Sequence, residues 1–178
     1  AMADFERRTR DLQVKREKLE ALLTSNRDAV MDRQAEKFDR GDVVTLDSGY
    51  GEGIGIIGDP GGGQKRFVEW DFAVNEPGPY HLQFRYAALE ARPGPLLING
   101  EVVKKNAVDR TTGGWHPPNQ RWFTEGKFDF AAGTNVIRFE SEPCMSHIDR
   151  IRLIRADYTS TALKDAVDRL VKLDRQQK

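Results

Sequence analysis

Residues 66–74 read Arg-Phe-Val-Glu-Trp-Asp-Phe-Ala-Val, and this stretch decides the fold. Apolar and polar side chains alternate along it, which is the period of two that a half-buried β-strand requires. The alternation returns over residues 80–87, Tyr-His-Leu-Gln-Phe-Arg-Tyr-Ala, after the turn sequence Glu-Pro-Gly-Pro at 76–79. The pattern predicts two strands, each with one buried side.

Further strand patterns follow at short intervals. Asn99-Gly100, between runs at 96–98 and 101–103, is a strong hairpin signal because both residues tolerate a positive φ. The remaining predicted strands are 127–130, 135–139 and 148–154. Short strands separated by turn residues predict a mainly β fold, a β-sandwich, rather than an α/β fold.

The chain on either side of these strands has the period of a helix. Residues 4–32 lack Gly and Pro, and Phe5, Leu12 and Leu19 recur every seven residues in a stripe that suits a partner helix. We expect Val30 and the following Met to extend this stripe. Near the other end, apolar residues at 163, 167, 170 and 171 lie on one helical face.

These patterns predict three parts. An N-terminal amphipathic helix occupies 1–32, the sandwich occupies 33–156, and a C-terminal amphipathic helix occupies 157–178. We expect the two helices to pair as an antiparallel hairpin, since a lone amphipathic helix is unstable in water. The alternative is that each helix packs on a larger body.

Composition excludes several classes of function. The 178 residues carry 28 basic and 28 acidic side chains, so net charge does not favour binding to nucleic acid or an anionic membrane. No apolar run is long enough to span a bilayer, and the first residues lack the core of a signal peptide. Ala1-Met2 is typical of a cleavage scar ahead of an excised fragment. A single cysteine, Cys144, excludes an internal disulfide.

The middle of the chain resembles the family 6 and family 35 carbohydrate-binding modules in the order of its sequence words. These words are 34–36 (Gln-Ala-Glu), the glycine run 49–55, 68–70, 78–87, 98–100, 112–115, 132–137 and 148–151. The resemblance implies a galactose-binding-like jelly roll over about 120 residues. Together with the flanking helices, 38–41 and 122–126 are similar to modules embedded in planctomycete cytochrome-c-domain proteins, although no haem motif is present.

The resemblance implies a structural calcium ion between the first and last strands. The acids at the matching positions are Glu36 and Asp149. Calcium prefers several oxygen ligands from carboxylates and carbonyls, so further ligands are needed. The alternative is a pair of surface acids, or Asp149 paired with a neighbouring arginine.

The resemblance also implies a sugar site with two aromatic residues, which match Tyr50 and Trp115. Both lie among glycines in predicted loops, where an aromatic side chain is hard to bury. The alternative for Trp115 is that it caps the core. We predict that Trp70 and Trp122 belong to the core, because each lies in or beside a strand pattern.

Two departures from the family pattern alter this site. Residues 116–121 separate Trp115 from Trp122, and two prolines at 117 and 118 imply a stiff, enlarged loop. The family's Asn ahead of the closing Asp is absent. We therefore predict that sugar specificity is rebuilt from His116, Asn119 and His147.

No catalytic motif of a hydrolase, metalloprotease or nucleotide-binding enzyme occurs. The prediction is a non-catalytic polysaccharide-binding module within a larger extracytoplasmic bacterial protein, in the periplasm or at the cell surface. The alternative is a structural or protein-interaction module that has lost glycan binding and assembles through its helices.

Overall fold

A computed structural model of the chain describes residues 30–46, 55–141 and 143–156, together with ten helical positions at 7, 8, 10, 11, 13–15, 17, 165 and 169. The strands of the described part are β1 Val30–Gln34, β2 Arg40–Gly41, β3 Val44–Leu46, β4 Ile56–Gly58, β5 Arg66–Val74, β6 Gly78–Ala87, β7 Gly94–Ile98, β8 Glu101–Ala107, β9 Arg121–Phe130, β10 Gly133–Ser141 and β11 His147–Arg155. A 3₁₀ helix spans Pro117–Asn119.

The strands form two antiparallel sheets. The first sheet has the order β3-β4-β11-β6-β9, with β1 also paired to β11. The second sheet has the order β2-β5-β10-β7-β8. Their inner faces together supply one hydrophobic core, so the predicted β-sandwich is confirmed.

Residues 66–74, the stretch that decides the fold, form β5 with the predicted bounds. Val68, Trp70 and Phe72 are buried, while Glu69 and Asp71 between them are partly exposed. The Trp70 indole nitrogen donates to the carbonyl of Ala35 at 3.0 Å, across 35 residues of sequence. Trp70 is fully buried and lies 5.7 Å from the ring of Phe84 in the first sheet, so it joins the two sheets.

The predicted hairpin at Asn99-Gly100 is confirmed. Both residues have positive φ, 50° and 85°, as the tight turn between β7 and β8 requires. The Asn99 side chain donates to the buried Asn135 and accepts from the amide of Val136. The turn therefore also joins this hairpin to β10.

The boundary between the N-terminal helix and the sandwich differs from the prediction. Residues 30–32 are not helical but belong to β1, where Val30 pairs with Ile154 and Met31 with Leu153. Met31 also packs against the core. Long-range pairing with β11 overrides the local helical pattern, so the predicted helix end at residue 32 is wrong.

Contacts divide the chain into two compact units, Val30–Arg155 and a unit of Ala1–Ala29 with Ala156–Lys178. The described positions between 7 and 17, with Asp165 and Arg169, are helical. Most of both predicted helices, including the stripe of Phe5, Leu12 and Leu19, lies outside the described residues, and their hairpin pairing stays a prediction. Within the described part of the chain, no helix has the length and apolar character needed to cross a membrane.

Gly94 in β7 provides a test of the sheet geometry. A Cβ atom there would lie 1.8 Å from the carbonyl oxygen of Glu140 in β10, a backbone atom that cannot move alone. We expect Gly94→Ala to lower the free energy of unfolding by about 1–3 kcal/mol or more, measured by urea titration. The matched control is Gly58→Ala in β4, where a Cβ would make ordinary contacts at 3.7 Å or more. Equal losses in the two variants would contradict the placement of β7.

Candidate functional site

The segment from Val108 to Gln120, which joins β8 to β9, is the candidate ligand loop. Its first residue is buried with a φ of 57°, which is unfavourable for a β-branched side chain. The amide of Val108 donates to Glu125 at 3.1 Å, and the other carboxylate oxygen of Glu125 accepts from Lys104 at 2.8 Å. This buried carboxylate fixes the direction in which the loop leaves β8.

The interior of the loop is tied by Thr112 and Asn119. Thr112 exchanges hydrogen bonds with Ala88 at the end of β6, through its amide and its hydroxyl. The side-chain nitrogen Nδ2 of Asn119 donates to the Thr112 carbonyl at 3.3 Å. The Asn119 side chain also packs against Gly114, where any Cβ would lie 2.4 Å from its oxygen. Asn119 therefore holds the loop closed.

Trp115 lies half-buried near the middle of the loop and packs against the core. The guanidinium carbon of Arg92 is 4.1 Å from its ring centroid, a cation–π contact. The imidazole of His147 lies 5.0 Å from the same ring, and its Nδ1 is 3.0 Å from the Trp115 carbonyl oxygen. Arg92 also donates to the carbonyl of Met145 at 3.0 Å.

Four of the five predicted sugar-binding residues thus lie in the ligand loop or against it. His147, at the start of β11, contacts Trp115, and Asn119 closes the same loop. His116 follows Trp115 and is exposed to solvent. Tyr50 lies outside the described residues. Trp115 packs on the core, as the alternative interpretation expects, and its ring also remains partly accessible to solvent.

The prediction that Trp122 belongs to the core, by contrast, is wrong. Trp122 lies half-buried on the outer face of the first sheet, where the guanidinium carbon of Arg152 is 3.9 Å from its ring centroid. Trp70 alone of the two has the predicted core position.

Sequence reasoning missed Arg92 and Gln120. Arg92 follows β6 and reaches Trp115 from 23 positions away, with no local pattern to indicate the contact. Gln120 is 5% exposed, and neither atom of its amide group has a hydrogen-bond partner in the described part of the chain. A buried, unsatisfied amide at the last position of the ligand loop is a candidate to bind an ordered water molecule or a ligand.

We expect His147 to make the stability of the sandwich depend on pH. Burial lowers the pKa of His147, and the charges of Arg92 and His116 lower it further, although the bond to Trp115 opposes them. The unfolded chain therefore takes up this proton first as the pH falls below about 6.5. We expect the free energy of unfolding to decrease below that pH, and His147→Gln to flatten the decrease in urea titrations at pH 7.5, 6.5 and 5.5. An identical slope in the variant would contradict this role.

The two acids predicted to hold calcium lie on adjoining segments. The Ala35 amide donates to the Asp149 carbonyl oxygen at 2.7 Å, which places Glu36 beside the bulge of β11 at Asp149. One carboxylate oxygen of Glu36 is buried without a hydrogen-bond partner among the described residues. The α-carbon of Gly55 passes so close to this carboxyl group that a Cβ would lie 2.5 Å from it.

The charges around Glu36 and Asp149 agree in part with a bound cation. Burial raises the pKa of Asp149, and the charges of Glu36 and Asp32 also raise it, while Arg85 and Arg150 lower it. Arg85 pairs with Asp149 at 3.2 Å, as the alternative interpretation expected. The described residues contain no cluster of three or more acidic, His or Cys side chains that could hold a metal. Any remaining ligands would have to be carbonyl oxygens or water.

Solved structures similar to this chain are carbohydrate-binding modules. A family 35 carbohydrate-binding module from Clostridium thermocellum has 25% sequence identity and a TM-score of 0.58, over 71% of this chain and 98% of that one. The C-terminal family 6 module of LamC, a marine laminarinase from Zobellia galactanivorans, has 19% identity and a TM-score of 0.58, over 71% and 99% of the two chains.

A third similar structure is the GH26-CBM35 β-(1,4)-mannanase of Podospora anserina, with 22% identity and a TM-score of 0.56. That match covers 71% of this chain and 28% of the enzyme. No protein-family model and no curated protein matches the chain. The resemblance to family 35 and family 6 modules, predicted from the ordered sequence words, is confirmed by the structures.

Proposed function

We propose that this chain, whose sandwich has the fold of family 35 and family 6 carbohydrate-binding modules, is a non-catalytic glycan-binding module. The observation that carries the proposal is the placement of Trp115. Its half-exposed ring is held by Arg92 and His147 at the end of the sandwich, beside the exposed His116. A sugar ring has an apolar face that stacks on an aromatic side chain and hydroxyl groups that bond to polar side chains nearby.

The residues divide between contact and support. Trp115 supplies the stacking surface, and His116 supplies a solvent-facing donor or acceptor. Asn119 and Glu125 act as positioning residues, because the side-chain nitrogen of Asn119 and both carboxylate oxygens of Glu125 already make hydrogen bonds in or beside the loop. His147 orients Trp115, because its ring nitrogen Nδ1 contacts the backbone carbonyl oxygen of Trp115. Tyr50 remains part of the proposal as a second aromatic contact.

The test is native affinity electrophoresis of the full chain in gels containing neutral polysaccharides. The similar structures include a β-(1,4)-mannanase, the C-terminal family 6 module of a laminarinase and an exo-β-1,3-galactanase. Mannan, β-1,3-glucan and β-1,3-galactan are therefore the first probes, each with added calcium. We expect retardation by at least one of them. Unchanged mobility in all three and in a wider glycan array would contradict the proposal.

We propose that calcium binds between Glu36 and Asp149. The Glu36 oxygen that has no hydrogen-bond partner among the described residues and the raised pKa of Asp149 both support a cation at this place. The ion would supply positive charge that lets both carboxylates remain ionised and would tie β11 to the segment after β1. Its role would be structural.

Calcium should raise the melting temperature. At a concentration about 100 times Kd, a bound ion stabilises the native state by about 2.7 kcal/mol, which corresponds to roughly 5–10 °C. Glu36→Gln should abolish this gain. The gain should also shrink as the pH falls, because Asp149, with its raised pKa, takes up a proton at a higher pH than an ordinary aspartate. A melting temperature indifferent to calcium and to EDTA would contradict the site.

The second candidate is a protein-interaction module that has lost glycan binding. The observation that favours it is the position of Arg92, which lies over the Trp115 ring where a sugar could otherwise stack. Sedimentation velocity of the full chain distinguishes the two. Concentration-dependent assembly together with no binding to any glycan would support this candidate.

The same proposal places the chain outside the cytoplasm, as one module of a larger bacterial protein. Polysaccharides are found there, and a module that binds them would hold its attached domains near the substrate. Cell fractionation of the source bacterium with an antibody against the chain tests it, and a purely cytoplasmic signal would contradict it.

A further inference from the structure

The stacking surface proposed for a glycan is covered by Arg92. The guanidinium carbon of Arg92 is 4.1 Å from the ring centroid of Trp115, so it lies over one face of the indole. The ring also packs against the core, and its centroid lies 5.0 Å from that of the His147 ring. A sugar that stacks on the face below Arg92 would therefore occupy the place that the guanidinium now has.

Within the described part of the chain, Arg92 has few other contacts. One terminal nitrogen of its guanidinium donates to the backbone carbonyl of Met145 at 3.0 Å. The other terminal nitrogen is 3.9 Å from a carboxylate oxygen of Glu90, whose side chain is 75% exposed. An ion pair with so exposed a partner contributes little. The side chain of Arg92 can therefore leave the ring at the loss of one hydrogen bond and one cation–π contact.

A stack in the second sheet shows how a firmly held arginine differs. The guanidinium carbon of Arg138 lies 3.9 Å from the ring centroid of Phe67. Arg138 belongs to the strand β10 and pairs with two mostly buried carboxylates, Glu69 at 2.9 Å and Glu140 at 2.8 Å. Arg92, in contrast, comes from the connection between β6 and β7, and its ion pair is with a mostly exposed carboxylate.

The stack on the outer face of the first sheet is also firmly held. Arg152 lies 3.9 Å from the ring centroid of Trp122 and donates twice to the side-chain oxygen of Gln83, at 2.9 and 2.5 Å. The charge of Asp32, its cross-strand partner on β1, also acts on this guanidinium. Of these three stacks, the one on Trp115 has the arginine with the weakest anchors.

The Trp115 ring has supports that are independent of Arg92. Nδ1 of His147 lies 3.0 Å from the Trp115 carbonyl oxygen, and Asn119 holds the loop closed. Pro93 directly follows Arg92 and favours an extended backbone there, so the ring is uncovered by rotation about the side-chain bonds of Arg92 alone. Such rotations are among the fastest motions of a protein. Removal of the guanidinium should therefore expose the ring and leave the loop in place.

We propose that Arg92 is a cap on the glycan site, a role that rests on the proposed glycan-binding function. The site is closed while Arg92 stacks on Trp115, and a sugar binds by taking the place of the guanidinium. Because the cap must open before any such sugar stacks, it lowers all their affinities by one common factor, the fraction of molecules that are open. Arg92 thus sets the affinity of the site without distinguishing between sugars.

The test is isothermal titration of the full chain with manno-, laminari- and galacto-oligosaccharides in calcium. Arg92→Ala should bind about threefold to thirtyfold more tightly than the wild type, the range that a cation–π contact supplies. The gain should be the same factor for every sugar that binds. Arg92→Lys keeps a cation but loses the planar guanidinium, so its gain should be smaller. The matched control Lys105→Ala removes one exposed positive charge from β8 and should leave every affinity unchanged.

The NMR signal of the Arg92 Nε–H group tests the cap in the wild type, without reliance on a variant that fails to fold. The guanidinium lies over the Trp115 ring, so this signal should move toward that of a solvent-exposed arginine when a sugar saturates the site. An Arg92 signal that does not move on saturation would overturn the cap.

The titrations separate the cap from glycan binding itself. Folded Arg92→Ala that binds no more tightly than the wild type, or gains that differ widely between sugars, would overturn the cap and leave the glycan-binding function intact. Binding by Arg92→Ala alone would support the cap in its strongest form. No binding of any glycan by either protein would contradict the proposed function, and the cap with it.

Discussion

Trp70→Ala should lower the free energy of unfolding by about 3–5 kcal/mol, the largest loss expected from a single substitution in this chain. The ring is fully buried between the two sheets and contacts Phe84. Its removal leaves a cavity that a close-packed sandwich cannot fill. It also leaves the carbonyl of Ala35 without its 3.0 Å donor. Urea titration followed by circular dichroism measures the effect.

The same substitution at Trp122 is the matched control. Trp122 lies on the outer face of the first sheet, where the loss of its ring exposes Arg152 to water and opens no cavity. We expect Trp122→Ala to cost at most about 1–1.5 kcal/mol. A loss as large as that of Trp70→Ala would show that Trp122 belongs to the core and would contradict the register of β9.

Trp115→Ala should weaken the binding of a neutral glycan about 30-fold, which corresponds to about 2 kcal/mol. The variant removes the proposed stacking surface and releases Arg92, which lies 4.1 Å from the ring centroid. Trp115→Phe should recover part of the affinity, because a smaller aromatic ring remains. Isothermal titration with the best ligand from the polysaccharide gels measures both variants.

Val102→Ala is the control for Trp115→Ala. Val102 is 56% exposed on β8 and lies on the second sheet, away from the ligand loop. Its truncation should leave glycan affinity unchanged. Wild-type affinity in Trp115→Ala, with the fold retained, would show that the ligand binds elsewhere.

The strands were predictable because their signal is local. In β5, each side chain faces the core or solvent according to its own position in the strand, and neighbouring residues alone reveal that alternation. The turn at Asn99-Gly100 was predictable for a similar reason, since few residue pairs tolerate its two positive φ angles. No long-range information was needed for either.

Trp122 was misplaced because a bulge breaks the alternation of β9. The register with β6 shifts between Leu82 and Gln83, opposite Glu125. Before the bulge Phe123 faces inward, 4.9 Å from the ring of Tyr86, and Trp122 faces outward. After the bulge the even-numbered Phe128 packs on the core instead. A strand pattern extended back from Phe128 therefore predicts the wrong side for Trp122.

The site was only partly predictable for a different reason. Trp115 stood out because glycines precede it, and the structure does place it in a loop at the end of the sandwich. Arg92, which lies over its ring, comes from the connection between β6 and β7 and has no local signal. Gln120 became notable only when its burial was known. A ligand site depends on contacts between distant segments, and such contacts leave no periodic pattern in a single sequence.

The indole NMR signals of the three tryptophans report whether a glycan contacts Trp115. Trp115 marks the proposed glycan site, Trp122 marks the outer face of the first sheet, and Trp70 is a buried control whose indole is bonded to Ala35. A ¹⁵N-labelled full chain, with signals assigned from Trp→Phe variants, is titrated with manno-, laminari- and galacto-oligosaccharides in calcium. We expect the Trp115 signal to shift with a binding oligosaccharide while the Trp70 and Trp122 signals do not. Binding that leaves Trp115 unshifted, or no response to any of the sugars, would contradict it.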